Sequence, residues 1–135
     1  VIPAIGEELL FRGSLQNIFY KWFYNPHVAI WISAIIFSAI HVQFFGFFPR
    51  MLLGVLFGYF LWWGKSLWLA IWAHFLNNGL AVTMAYVLQL QGKSIDEIEK
   101  TDTFQIWGYL LSAIITLVLL FKFYQDSKKS NQIDI

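Results

Sequence analysis

Cysteine is absent from the 135 residues. Its absence removes thiol nucleophiles, thiolate metal ligands, a disulfide scaffold and sites for prenyl or palmitoyl attachment. Charge is scarce too. Asp, Glu, Lys and Arg make up 13% of the chain, against roughly a quarter in ordinary soluble domains. A soluble globule needs more polar groups than this to cover its surface. The net charge of +1 leaves no electrostatic footprint for nucleic acid, so none is expected as a partner. No charged n-region and no small-residue cleavage site precede the first apolar segment, so the N-terminus does not read as a signal peptide. Internal repeats and low-complexity tracts are also missing.

What is present is apolar: 59% of residues, with aromatics at 20%. They gather into long runs almost free of charge, and a bilayer core of about 30 Å needs about 20 such residues in a helix. Val28–Phe48, Leu67–Leu90 and Phe104–Tyr124 are long enough. Met51–Trp63 is shorter and reads as a tilted or re-entrant span. Lipid cannot satisfy bare backbone groups, and no turn-punctuated strands suggest a barrel. The expected fold is therefore all-α, a polytopic transmembrane bundle of about four to five membrane helices.

The chain length fits one domain. Val1 lies within an apolar helix, which reads as the C-terminal part of a longer membrane protein lacking its N-terminal helices. The first segment, 1–24, is expected to be half intramembrane and half amphipathic, starting near Pro3 and broken by Asn25-Pro26. A core domain over 1–90 is followed by a polar loop over 91–103, a transmembrane helix over 104–124 and a polar, disordered tail over 125–135. Lys122, Lys128 and Lys129 favour a cytoplasmic C-terminus. His27, beside Pro26, is expected to be solvated and without a role. The aromatic clusters at Phe44–Phe48 and Tyr59–Trp63 read as interface belts or core packing.

Ionisable groups inside a membrane are costly unless paired or hydrated, which makes them functional candidates. Three short motifs hold most of them. In the first, Glu8 and Arg12 are four apart with the acid N-terminal, the favourable order for a helical ion pair. Glu7 is rotated about 100° away. One carboxylate is then structural and the other left free, as a general base must be. The bland alternative is a surface helix with two solvated acids. In the second motif His41 follows Phe37 by one turn, where the ring can fix its rotamer; a satisfied structural histidine fits equally. In the third, His74 and Asn78 share a helix face and offer two donors in one direction. That suits a developing oxyanion, or else an interhelical clamp.

In this order the motifs read Glu7-Glu8-x-x-x-Arg12, Phe37-x-x-x-His41 and His74-x-x-x-Asn78. The sequence resembles the CPBP intramembrane proteases, the family of CAAX proteases and bacteriocin-processing enzymes also called Abi. The resemblance covers roughly Pro3 to Tyr86. It implies hydrolysis of peptide bonds in a membrane-associated or hydrophobic substrate, with bacteriocin processing or self-immunity among the family's roles. It implies Glu7 as the base activating water with help from His41, His74 and Asn78 as the oxyanion pair, and Glu8 with Arg12 as the supporting ion pair.

The family is often labelled metalloprotease. Glu7, His41 and His74 are then the candidate zinc ligands, with metal-bound hydroxide as nucleophile. Direct base catalysis by Glu7 fits the adjacent glutamates and arginine at least as well, and no His-Glu-x-x-His is present. No obligatory cofactor is expected. The resemblance places the protein in a membrane, with a bacterial inner membrane as the expected location. A non-proteolytic membrane binding or immunity protein using the same polar network is the competing reading.

Overall fold

The computed structural model describes residues 2–42, 44, 46–90 and 103–133. Every described element is a helix. The chain divides into two compact units, Val1–Asn78 and Gly79–Ile135. Most of the expected polar loop, 91–102, lies outside the described residues.

The first unit opens with α1 (Ile2–Glu8), continues through a π-helical turn (Leu9–Leu15) and resumes as α2 (Gln16–Phe23). The wider π turn lets two successive residues, Phe11 and Arg12, both be buried beside Glu8 and Gln16. Its register is visible at Phe11, whose carbonyl accepts from the Gln16 N–H five residues on. The same carbonyl accepts from Ser33 Oγ at 3.0 Å. Such turns concentrate at functional sites.

Tyr24, at φ 50°, ends α2. Asn25 then caps α3 (Pro26–Ala39): its Oδ1 accepts from the N–H groups of His27 and Val28 at 2.9 and 3.3 Å. Pro26 at the first helical position has no N–H to leave orphaned.

The expected span Val28–Phe48 is corrected here, because α3 stops at Ala39. His41 lies just beyond that end. Its Nδ1 lies 2.8 Å from the Phe37 carbonyl, while its backbone N–H turns to Ser38 O at 3.3 Å. Val42 then adopts φ 50°, a conformation that costs a β-branched residue on the order of 1–2 kcal/mol. Ser38 Oγ donates to Phe47 O at 2.6 Å and fastens the returning chain.

α4 (Phe47–Gly64) packs on α3 through its glycines. A Cβ at Gly54 would stand 3.1 Å from Ala34 Cβ and 3.2 Å from Arg12 Nη2; one at Gly58 would stand 2.8 Å from Ile30 Cγ2. Small residues let the backbones approach and expose their carbonyls. Arg12 Nη2 donates to Gly54 O at 2.9 Å, and Gln16 Nε2 to Gly58 O at 3.4 Å. The core is Ile30, Ala34 and Val55, with Met51, Tyr59 and Trp62 packed against it. His27 is exposed, as expected, and its Nδ1 meets Tyr59 Oη at 2.7 Å, which links α3 to α4. Tyr59 in turn stacks on Trp63.

Among the described residues α4 is the one helix long and apolar enough to cross a bilayer, with 18 residues and mean hydropathy 1.2. At 1.5 Å per residue it is about 27 Å long. The short Met51–Trp63 span of the sequence reading is thus extended at its N-terminal end. α3 is apolar but shorter. Trp31, Ile35, Leu52, Trp68, Trp72 and Leu76 point outward, an arrangement that lipid accepts better than water.

α5 (Leu67–Leu90) follows Lys65, another residue in the left-handed region at φ 52°. It runs from the first unit into the second, where Thr83 Oγ1 bonds Gly79 O at 2.8 Å. α6 (Thr103–Ile133) contains the predicted span 104–124 and continues beyond it. Residues 125–133 are therefore helical rather than disordered. Extending an existing helix gains one hydrogen bond per residue with no new nucleation cost.

Candidate active site

Glu7 and Glu8 occupy the last positions of α1 and point about 100° apart around the helix. Glu8 is fully buried and Glu7 is about a third exposed. Arg12 Nη1 donates to Glu8 Oε1 at 2.9 Å, both side chains shielded from solvent. The Arg12 guanidinium also lies 4.7 Å from the Phe37 ring and 5.5 Å from that of Phe57. A cation there is held by one carboxylate, one backbone carbonyl and two aromatic faces.

The imidazole of His74, on α5, enters between the two acids. Its Nδ1 lies 2.8 Å from Glu8 Oε1, and its Nε2 lies 3.6 Å from Glu7 Oε2. The carboxylate accepts, so Nδ1 donates. Phe57 stacks on this ring at 5.2 Å and Phe37 meets it edge-on at 5.9 Å. Phe37 also packs edge-on against His41 and Phe11, each at 5.1 Å. One phenyl ring thus fixes both imidazoles. Because a carbonyl can only accept, His41 Nδ1 carries the proton toward Phe37 O, and its Nε2 is left as the basic nitrogen.

Glu7, His41, His74 and Asn78 line one cavity of about 400 Å³. They come from α1, the turn after α3, and α5. The apolar wall is supplied by Phe37, Leu53 and Phe57, with Gly46 and Pro49 at the start of α4. Two further polar residues on the wall, Asn77 and Arg50, were not singled out by the sequence. Asn77 Nδ2 donates to Asn78 Oδ1 at 3.4 Å, which turns the Asn78 amide so that its own Nδ2 is the free end. The doubled asparagine was the available signal for it. Arg50 lies outside the three motifs in the sequence.

Among the described residues no group of three or more His, Cys, Asp or Glu is placed to hold a metal ion. Nδ1 of each histidine is committed, one to a carbonyl and one to Glu8, so Nε2 is the nitrogen each ring has left for a ligand.

An acid, two imidazoles and a carboxamide thus line one hollow between apolar helices. The comparison with protein families makes this specific. The family model of the Rce1-like type II CAAX prenyl endopeptidases matches residues 1–80, which include every residue on the cavity wall, and the chain belongs to that family. Family membership makes it a membrane protease of the CAAX type. Neither the curated proteins nor the solved structures searched gave a match.

Proposed function

We propose that this protein is an intramembrane endopeptidase that cleaves a prenylated or otherwise hydrophobic, membrane-associated peptide by glutamate-based catalysis. The observation that carries this is the shared cavity, where Glu7, His41, His74 and Asn78 face one volume large enough for a short peptide segment.

Glu7 takes a proton from a water held jointly with Nε2 of His41, and the oxygen attacks the scissile carbonyl carbon. The carbonyl oxygen becomes an oxyanion. Asn78 Nδ2 donates to it, and His74 Nε2 donates when the ring carries both protons. Two such donors in a low-dielectric hollow stabilise charge that is absent from the ground state. On collapse of the intermediate the C–N bond breaks, and Glu7 returns its proton to the leaving nitrogen. Glu8 does no chemistry here; it orients His74 through Nδ1.

The lysines of α6 support a cytoplasmic C-terminus, in a bacterial inner membrane. Labelling of single cysteines introduced into this cysteine-free chain tests the side.

Glu7→Gln decides the reading. Hydrolysis of a membrane-embedded CAAX-type peptide, followed by mass spectrometry, is expected to vanish in this variant while the folded protein remains. Turnover at the wild-type rate would reject Glu7 as the base. A wild-type protein that binds the peptide without cleaving it would favour the binding or immunity reading.

A further inference from the structure

Asn77 lies on the cavity wall together with Glu7, His41, His74 and Asn78. Residues three and four positions after His74 share its face of α5, so both asparagines border the same hollow. The proposed hydrolysis uses Asn78 and gives Asn77 no part. Among the described residues the Asn77 side chain has one hydrogen bond across to a neighbour, from Nδ2 to Asn78 Oδ1 at 3.4 Å. A carboxamide has two N–H donors and an oxygen with two lone pairs. One N–H and all of Oδ1 are therefore left for a molecule that enters the cavity.

The rest of the wall narrows what that molecule needs from Asn77. The side chains of Phe37, Pro49, Leu53 and Phe57 form no hydrogen bonds, and that of Arg50 only donates. Among the described wall residues outside the proposed reaction, Asn77 is thus the side chain that can accept. A peptide in this hollow gives up water at its backbone N–H groups, and a buried N–H left unpaired costs free energy. In an extended chain the N–H and C=O of one residue point to the same side, which is how a neighbouring strand pairs with both. Two adjacent carboxamides, one free to donate and one free to accept, match that pair.

We propose that Asn77 is a specificity-determining residue: its Oδ1 accepts the backbone N–H of the residue whose carbonyl is cleaved, while Asn78 Nδ2 meets that carbonyl oxygen. The inference rests on the peptidase reading of this cavity. It makes the enzyme select a residue with a free N–H at that position and hold it extended, whatever its side chain.

The test uses a fluorescein-labelled, S-farnesylated peptide ending in Cys-Val-Ile-Met and a set of versions in which one backbone N–H at a time is replaced by an ester oxygen. Binding is measured by anisotropy to the full chain in detergent carrying Glu7→Gln, so that it does not depend on turnover. Mass spectrometry of the wild-type products locates the cleaved bond. The ester at the residue bearing the cleaved carbonyl is expected to bind about tenfold more weakly than the parent peptide, because it leaves the Asn77 oxygen unpaired. Adding Asn77→Leu erases that difference, and Asn77→Asp, which keeps an accepting oxygen, retains it. The other ester positions respond equally in all three proteins. An ester cost that survives Asn77→Leu, the absence of any position whose cost depends on Asn77, or a sensitive N–H on a residue other than the one cleaved overturns the proposal. Asn77→Leu that slows turnover of parent and ester alike, with no change in their relative binding, also overturns it and leaves Asn77 as a support for Asn78. A wild-type protein that shows the Asn77-dependent ester cost yet cleaves nothing would instead reject the peptidase reading and leave the backbone contact standing.

Discussion

Nδ1 of His74 lies 2.8 Å from Oε1 of Glu8, 66 positions away in the chain. The same oxygen accepts from Arg12 Nη1 at 2.9 Å. Glu8 therefore fastens two things at once: the ion pair under the π turn, and the imidazole that faces Glu7. The residue expected to be purely structural orients a residue proposed for catalysis.

Breaking that centre should cost stability first. Arg12→Ala removes the cation, its hydrogen bond to Gly54 O and its contacts with Phe37 and Phe57. Removing one partner of a buried pair costs about 3–5 kcal/mol. Denaturant unfolding in detergent is expected to show a loss of that order. A midpoint equal to wild type would show that Glu8 is held well enough by His74 alone.

Asn78→Ala should do the reverse. Asn78 is exposed at the cavity and carries no buried hydrogen bond. Loss of one oxyanion donor lowers kcat by roughly 10²–10³. The expected result is a slow enzyme with an unchanged unfolding midpoint. A kcat within twofold of wild type, an explicit threshold set well inside that range, would remove Asn78 from the mechanism.

Two glycines make a matched pair. At Gly58 an added Cβ would meet Ile30 Cγ2 at 2.8 Å and Gln16 Oε1 at 2.9 Å, whereas at Gly79 it would meet nothing within 4 Å. Gly58→Ala should destabilise by about 1–3 kcal/mol through overpacking. Gly79→Ala should stabilise by up to about 1 kcal/mol through helix propensity. Thermal scans of both variants check the α3–α4 contact; equal shifts would contradict it.

Chelation tests the glutamate mechanism. Hydrolysis is expected to survive prolonged dialysis against a strong chelator, with no stoichiometric zinc in the purified protein. Activity lost on chelation and restored by one equivalent of zinc would transfer the nucleophile from a Glu7-activated water to a metal-bound one.

Several features were legible in the residues because they are local. Asn25-Pro26 carries its own cap and helix start, and the Glu8–Arg12 spacing fixes a pair within one turn. The Leu67–Leu90 run matches α5 at both ends. Hydropathy misplaced the end of α3, because it scores 28–48 as one apolar run and is blind to a turn such as that at Val42. It is likewise blind to the bond between His27 and Tyr59, 32 residues on.

The sequence by itself determined that the chain is helical, poor in charge and equipped with three polar motifs, since composition and spacing along a helix are properties of neighbours. Tertiary structure decided which of two adjacent glutamates His74 would bond, that Phe37 would hold both imidazoles, and that Asn77 and Arg50 would join the cavity wall. Those outcomes depend on how closely α3 and α4 approach at Gly54 and Gly58 and on the turn after His41. Packing brings together groups far apart in the chain, and no local pattern encodes the distance between them.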